Sequence, residues 1–353
     1  MRSWIAGVPL VLSLLCGVQS AAAQEAVRTY GAEGTGRTLI VRSTTDIAVF
    51  DPVLEAFVAE VPGLSLRYEQ WGSNTLYRTT MAECRSGQPG ADVVISSGVH
   101  QMVKLVNDAC GQPYRSVLTE RLPDDLRWRD ELWGITREPA VIVYNKQALP
   151  VEDIPRSRFD LLDLLRQKPE SYVGHVATYD VEASGLGYLF AFADSHEATT
   201  FGALQEAFSR TGAVSTCCSY DIIAGVAEGT YLIAYNVLGS YAHGYQAEDP
   251  RIGIVLPTDY TLVLSRALMI QKEARHYGDA TRFLEFLLST RGEIALRKAL
   301  LISPLLDGEA DGGEGLPVSA QRTIELSPTL LVSLDARTRQ AFLRRWRTTF
   351  PGP

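Results

Sequence analysis

The chain has 353 residues, 46% of them hydrophobic and 21% charged, with a formal net charge of −8. This balance describes a globular protein, excludes disorder as the main state, and argues against nucleic acid or an anionic membrane surface as partner. The length exceeds what one hydrophobic core supports, so two lobes are expected.

At the N-terminus, Arg2 precedes an apolar run from Trp4 to Val18 and small residues over 20–23. That order reads as a secretory signal peptide over residues 1–23, cleaved near Ala23, which places a chain of about 330 residues in the periplasm. The apolar run is too short to cross a bilayer, and the bulky Leu15 argues against a lipid anchor on Cys16. Residues 25–36 and 307–315 read as the least structured stretches.

Residues 37–42 predict a buried strand that ends in Ser43, Thr44, Thr45 and Asp46. A helix to about residue 61 carries the stripe Val49, Val53, Phe57 and Val61, and Pro62-Gly63 stops it. Residues 64–68 predict a second strand, running out at Gln70, Trp71, Gly72, Ser73 and Asn74 before a helix with Tyr77, Met81 and Cys84. A third strand over 92–95 ends at Ser96 and Ser97, followed by a helix striped with Val99, Val103, Val106 and Cys110. Three strand–turn–helix units in series imply parallel strands with crossover helices.

A second alternation follows Trp133-Gly134. It comprises a strand over 140–144, a helix over 159–166, and a strand over 173–178 that leads through Tyr179 to Ser184, Gly185 and a helix. Residues 213–214 approach Ser215, Thr216, Cys217, Cys218 and Ser219, then a helix over 220–228. A last strand, 232–235, runs into Tyr235, Asn236 and Tyr241. In open α/β sheets, ligands bind outside the carboxyl ends of the strands, where helix N-termini offer backbone N–H groups and positive dipole ends. The candidate ligand-binding residues are therefore Ser43, Thr44, Thr45, Trp71, Ser73, Ser96, Ser97, Tyr179, Ser184, Gly185, Thr216, Cys217, Cys218, Tyr235, Asn236 and Tyr241. Taken singly, the hydroxylated ones also serve as ordinary helix caps.

Catalytic chemistry finds little footing. There is no Gly-x-Ser-x-Gly elbow, His-Glu-x-x-His or phosphate loop, and Ala183 stands where an elbow before Ser184 would need glycine. The histidines show no ligand spacing. No enzyme activity, metal site or cofactor is expected. Cys84 and Cys110 flank one strand as core thiols or a structural disulfide. The adjacent Cys217 and Cys218 have three readings: a vicinal disulfide ledge, a soft-metalloid grip, or turn filler. The arginine-rich run 335–346 reads as an amphipathic surface helix with a solvated face, or as a docking patch.

The stretches RSTTDIAVFDPVLEAF, PGADVVISS, MVKLVNDACGQPY, AVIVYNKQALP, TYDVEASGLGYLFA, YLIAYNVLGSYA, ATRFLEFLLSTRGEIAL and SLDARTRQAFLRRW span most of the chain. Together they resemble the type 2 periplasmic solute-binding proteins of ABC-transporter type, near the phosphoglycerate- and hexose-phosphate-binding branch and next to the ferric-iron binders. The resemblance implies a two-lobed α/β fold with an interlobe cleft and hinge strands. The chain would cross between lobes near 138–145, 250–262 and 301–306. Lobe 1 would comprise 37–138 and 251–300, and lobe 2 139–250 and 301–350. It implies a monomer that closes on a small, anionic solute, phosphorylated or carboxylated, for an inner-membrane ABC permease. The alternatives are a ligand sensor for a membrane histidine kinase, or a binder of ferric iron or arsenite. Iron-binding relatives use adjacent tyrosines, whereas here Tyr235-Asn236 and Tyr241 stand apart.

Overall fold

The computed structural model describes residues 24–31, 37–197, 199–307 and 320–350. The expected signal peptide and most of the 307–315 stretch lie outside the described residues. From the N-terminus run β1 (Gln24–Gly31), β2 (Thr38–Ser43), α1 (Ile47–Glu60), β3 (Ser65–Trp71), α2 (Ser73–Ser86), β4 (Val93–Ser96), α3 (Val99–Asn107) and α4 (Val117–Arg121). Next come β5 (Arg127–Trp128), β6 (Leu132–Gly134), β7 (Glu138–Asn145), α5 (Arg158–Gln167), β8 (Val176–Tyr179), α6 (Gly185–Glu197), α7 (Phe201–Arg210), β9 (Val214–Thr216) and α8 (Ser219–Glu228). The chain continues with β10 (Ile233–Leu238), α9 (Gly239–Glu248), β11 (Ile252–Val255), β12 (Thr261–Leu264), β13 (Ala267–Ile270), α10 (Tyr277–Leu288), α11 (Thr290–Lys298), β14 (Gln321–Thr323) and α12 (Ala336–Thr349).

The strands form two sheets. The first has the order β1-β3-β2-β4-β13-β6-β5, and the second β14-β12-β7-β10-β8-β9 with β11 also on β7. The three expected strand–turn–helix units are β2–α1, β3–α2 and β4–α3, and β2 pairs in parallel with both β3 and β4. Residues 25–31, expected to lack regular structure, instead form most of β1, antiparallel to β3. As an edge strand, β1 leaves most of its side chains in solvent and buries Tyr30, so its polar sequence hides the strand.

Packing follows the sheets. On one face of the first sheet, α1, α10 and α11 bury Phe50, Phe57, Phe283 and Leu284 against Leu39, Val41 and Ile95. Tyr235, Phe208, Leu161 and Trp346 pack together beside the second sheet. A third cluster joins residues from both sheets, among them Trp71, Val103, Val141, Tyr179 and Ile223. A disulfide links Cys84, at the end of α2, to Cys110, just past α3, with Cα atoms 5.4 Å apart.

Among the described residues, the chain passes between the sheets at 135–137, at 265–266 and after α11, where Ile302 bridges Arg137. The middle passage comes later than the 250–262 suggested by sequence. Both β11 and β12 pair with β7 in the second sheet, and β13 is the first of these strands to join the first sheet. No turn residue marks the change, because β12 and β13 form one apolar run broken only by Ser265 and Arg266.

Candidate functional site

The carboxyl ends of strands from both sheets meet at a cleft of about 90 Å³. From the first-sheet side come Glu25, Thr44, Asp46, Trp71, Gly72, Ser73 and Ser97; from the other come Tyr179, Ala183, Ser184, Leu186, Cys217, Cys218, Ser219, Leu238 and Tyr241. Arg266, from the passage between sheets, completes the lining.

Local sequence explains why so many helix starts meet here. The strands that end here run through short turns straight into the next helix. Asp46, Gly72, Gly98, Cys218 and Leu238 precede α1, α2, α3, α8 and α9, and Ser184 precedes α6. Among the described residues, six helices therefore begin on this cleft. The first N–H groups of each have no intrahelical partner, and the positive dipole ends point inward.

Hydrogen bonds across the cleft hold its walls together. Asn74 Nδ2 donates to the Glu182 and Ala183 carbonyls, both at 2.9 Å, and Gln101 Nε2 donates to Asn74 Oδ1 at 2.7 Å. Gly185 N donates to Ser73 Oγ at 2.9 Å. A Cβ on Gly185 would lie 2.9 Å from both Ser73 Oγ and Gln101 Nε2, so a side chain there would have to displace these two groups. Asp46 N reaches the Tyr241 hydroxyl at 3.3 Å. Within the walls, the Thr44 and Ser97 hydroxyls pair at 3.1 Å on one side, and those of Tyr179 and Ser219 at 2.6 Å on the other.

Charge in the cleft is mixed. Burial pushes the Asp46 carboxyl above its usual range, against the pull of Arg266. Burial likewise pushes the Tyr179 phenol up to about 12, with the Ser219 hydrogen bond and Arg266 opposing. Tyr241 is raised by burial too, again against Arg266. Burial opposes the charge of Arg266 itself, but Glu138 and the neighbouring tyrosines hold it above the ordinary arginine range.

Of the residues expected from sequence, the cleft brings together Thr44, Trp71, Ser73, Ser97, Tyr179, Ser184, Cys217, Cys218 and Tyr241. Cys217 and Cys218 form a disulfide on its wall. The others do not line it. Ser43 is fully buried, its hydroxyl closing the turn on Thr45, whose own carbonyl accepts from Tyr68. Ser96 Oγ accepts from Gly98 N at the start of α3. Gly185 contributes backbone behind the lining, and Thr216 ends β9, where its carbonyl accepts from Asp180 N. Tyr235 and Asn236 are the larger correction. A register shift in β10 accompanies a left-handed Asn236 (φ 57°), and both side chains bond Asp194 in a separate small cavity.

Sequence reasoning missed Glu25, Asp46 and Arg266 as lining residues. The signal for Arg266 was present: a lone cation inside the apolar run 261–270 is costly to bury unless it has a partner or a task. A wider groove of about 770 Å³ lies between α6, α7 and α12, lined by Phe192, Phe201, Phe342 and Arg345 among others. It shares no residue with the cleft and receives no strand end.

Comparison with known proteins places this geometry. A profile of the bacterial extracellular solute-binding proteins matches residues 88–317. The chain is similar to the substrate binding protein of an ABC transporter from Agrobacterium tumefaciens, at 29% identity and a TM-score of 0.85, covering 94% of this chain and 100% of that one. It is similar to iron-bound HitA from Pseudomonas aeruginosa, at 17% identity and a TM-score of 0.66, covering 89% and 99%. It is also similar to AfuA from Actinobacillus pleuropneumoniae with fructose-6-phosphate bound, at 16% identity and a TM-score of 0.66, covering 89% and 98%. The last two share the fold alone. Comparison with curated proteins finds no match.

Proposed function

The chain belongs to the bacterial extracellular solute-binding proteins, and on that premise we propose that it captures a small anionic, hydroxylated solute and delivers it to an ABC permease. The observation that carries the ligand class is the convergence of six helix N-termini and one guanidinium on a single cleft. Such an array favours a phosphate or carboxylate group. Asp46 and Glu25 would repel a bare anion, so the rest of the solute would bring hydroxyl donors to these carboxylates. Trp71 and the Cys217–Cys218 disulfide supply less polar wall. Phosphorylated sugars and sugar acids have this combination of groups, and AfuA, with fructose-6-phosphate bound, shares the fold.

Binding would draw the walls together about the passages between sheets and favour the closed arrangement over the open one. The protein acts here as a carrier without catalysis, periplasmic after removal of residues 1–23, and monomeric. Ferric iron fits less well than an organic anion. Tyr235 gives its hydroxyl to Asp194 away from the cleft, so Tyr241 lacks the adjacent tyrosine that iron-binding relatives use, and the Tyr179 phenol in the same cleft is already paired with Ser219.

A thermal-shift panel of sugar phosphates, phosphoglycerates, sugar acids, inorganic oxyanions, neutral sugars and amino acids tests the reading. Ligand at 100-fold excess over Kd stabilises by about 2.7 kcal/mol, an easily resolved shift. Response only to neutral sugars or amino acids would refute the anionic class.

A further inference from the structure

We infer that Arg266 is the anion-anchoring residue of the cleft and that Glu138, which holds it, sets how strongly it attracts the ligand. The inference rests on the anionic reading above and deepens it.

Arg266 lies in the passage at 265–266 and Glu138 opens β7 of the second sheet, and both are buried. Arg266 Nε donates to Glu138 Oε1 at 2.8 Å and Nη2 to Oε2 at 3.2 Å. The carboxylate also accepts from Thr136 Oγ1 at 2.8 Å and Ser240 Oγ at 2.5 Å. With two donors on each oxygen, Glu138 has no capacity left for a solute. The guanidinium differs. Its Nη1 makes one long contact, 3.4 Å, to the Thr44 carbonyl, and its side chain lines the cleft. Of five N–H donors, three have acceptors in the protein, and the other two sit on the terminal nitrogens.

Position adds a second argument. Arg266 touches Thr44 from the first sheet, lies 5.9 Å from the Tyr241 ring on the second, and anchors to Glu138 at the start of β7. Backbone bonds hold it there: Arg266 N donates to Thr136 Oγ1, and Ile135 N to the Arg266 carbonyl. A solute anion on Nη1 would thus meet a cation fixed at the passage between the sheets, within reach of both walls. Because Glu138 neutralises much of that cation, the site would grip an anion firmly enough to capture it while leaving release to the permease possible.

Glu138→Gln separates this arrangement from a structural ion pair, since the amide keeps the shape and removes the counter-charge. Titration calorimetry with fructose 6-phosphate, 3-phosphoglycerate and inorganic phosphate, with fructose as neutral control, gives the readout. The anion that binds the wild type should bind E138Q at least about tenfold more tightly, with fructose unaffected. The double variant Arg266→Met with Glu138→Gln avoids an unpaired buried carboxylate, and should weaken the same anion about a hundredfold. Equal anion affinity in wild type and double variant, both folded by circular dichroism, overturns the role of Arg266 and leaves the anionic reading standing. If no anion binds the wild type, the reading and this inference fall together.

Discussion

Two buried arginines, each paired with a carboxylate, do different work in this molecule. Arg158 lies within the second-sheet half, where four of its N–H donors find acceptors on Asp194, Asp259, the Tyr260 carbonyl and Asn236, and Nη2 also stands 3.0 Å from the Asp194 carboxylate. The Tyr260 ring lies 3.6 Å beneath its guanidinium carbon. Arg266, equally buried, has acceptors for three. The first is sealed into the core; the second faces a cleft. Depth and charge alone do not tell a structural ion pair from a binding one. The unused donors do, because a buried polar group without a partner is costly and its survival calls for a reason.

The contrast can be broken most forcefully at Asp194. This carboxylate also accepts from the Tyr235 and Tyr260 hydroxyls and from Asn236 Nδ2. Asp194→Ala should cost about 3–5 kcal/mol in urea unfolding, because it strands a buried guanidinium. Ligand affinity of the fraction that stays folded should be unchanged. A large affinity loss there would mean that the second cluster also serves the cleft.

His100 sharpens the comparison as a buried ionisable group packed against the Tyr188 ring, with one ring nitrogen unpartnered among the described residues. Its Nδ1 lacks a hydrogen bond, and burial, helped by Arg339, pushes its pKa down to about 3. The folded state therefore keeps the ring neutral while the unfolded chain protonates near pH 6.5. Its stabilising contribution is fully present above pH 6.5 and is lost as pH falls toward 3. Between pH 7 and pH 4, His100→Leu should remove roughly 2–3 kcal/mol of the wild type's acid sensitivity, measured by urea midpoints. An identical pH slope in both proteins would contradict this.

On the cleft side, effects should fall on binding rather than on stability. Asn74→Ala removes two bonds to the Glu182 and Ala183 carbonyls. Ligand affinity should weaken by about 1–2 kcal/mol, and small-angle scattering should show a more open unliganded form. The smallest effect is expected at the disulfide on the cleft wall. Replacing Cys217 and Cys218 with serine should change anion affinity by under about 1 kcal/mol, since hydroxyls replace sulfur among the contacts. Arsenite binding to the reduced wild type, lost in the variant, would point to the soft-metalloid alternative.

Much of the framework was legible in sequence because its signals are local. The polar ends at Thr44, Ser73 and Ser97 follow short apolar strands directly, and strand, turn and helix lie within a few residues of each other. The reading failed where position depends on distant partners. Tyr235 and Asn236 sit in such a pattern too, but the shift in β10 and the left-handed Asn236 turn them toward Asp194, some forty residues away. Glu25 reaches the cleft only because β1 pairs along the edge of β3. Arg266 becomes intelligible once Glu138 and Thr44 stand beside it, and no local pattern places them there.

The placement of β13 has a consequence for how the chain is made. This strand lies between β4 and β6 in the first sheet, though more than 130 residues of sequence separate it from β6. At roughly 5–20 residues per second, the stretch from Ser96 to Ala267 takes on the order of 10–35 s to make. Throughout that interval β4, with all four residues destined for burial, offers an unpaired apolar edge to any neighbouring strand. Fragments truncated before Ala267 should accordingly aggregate rather than fold, and the nascent chain depends on whatever shields it until its centre arrives.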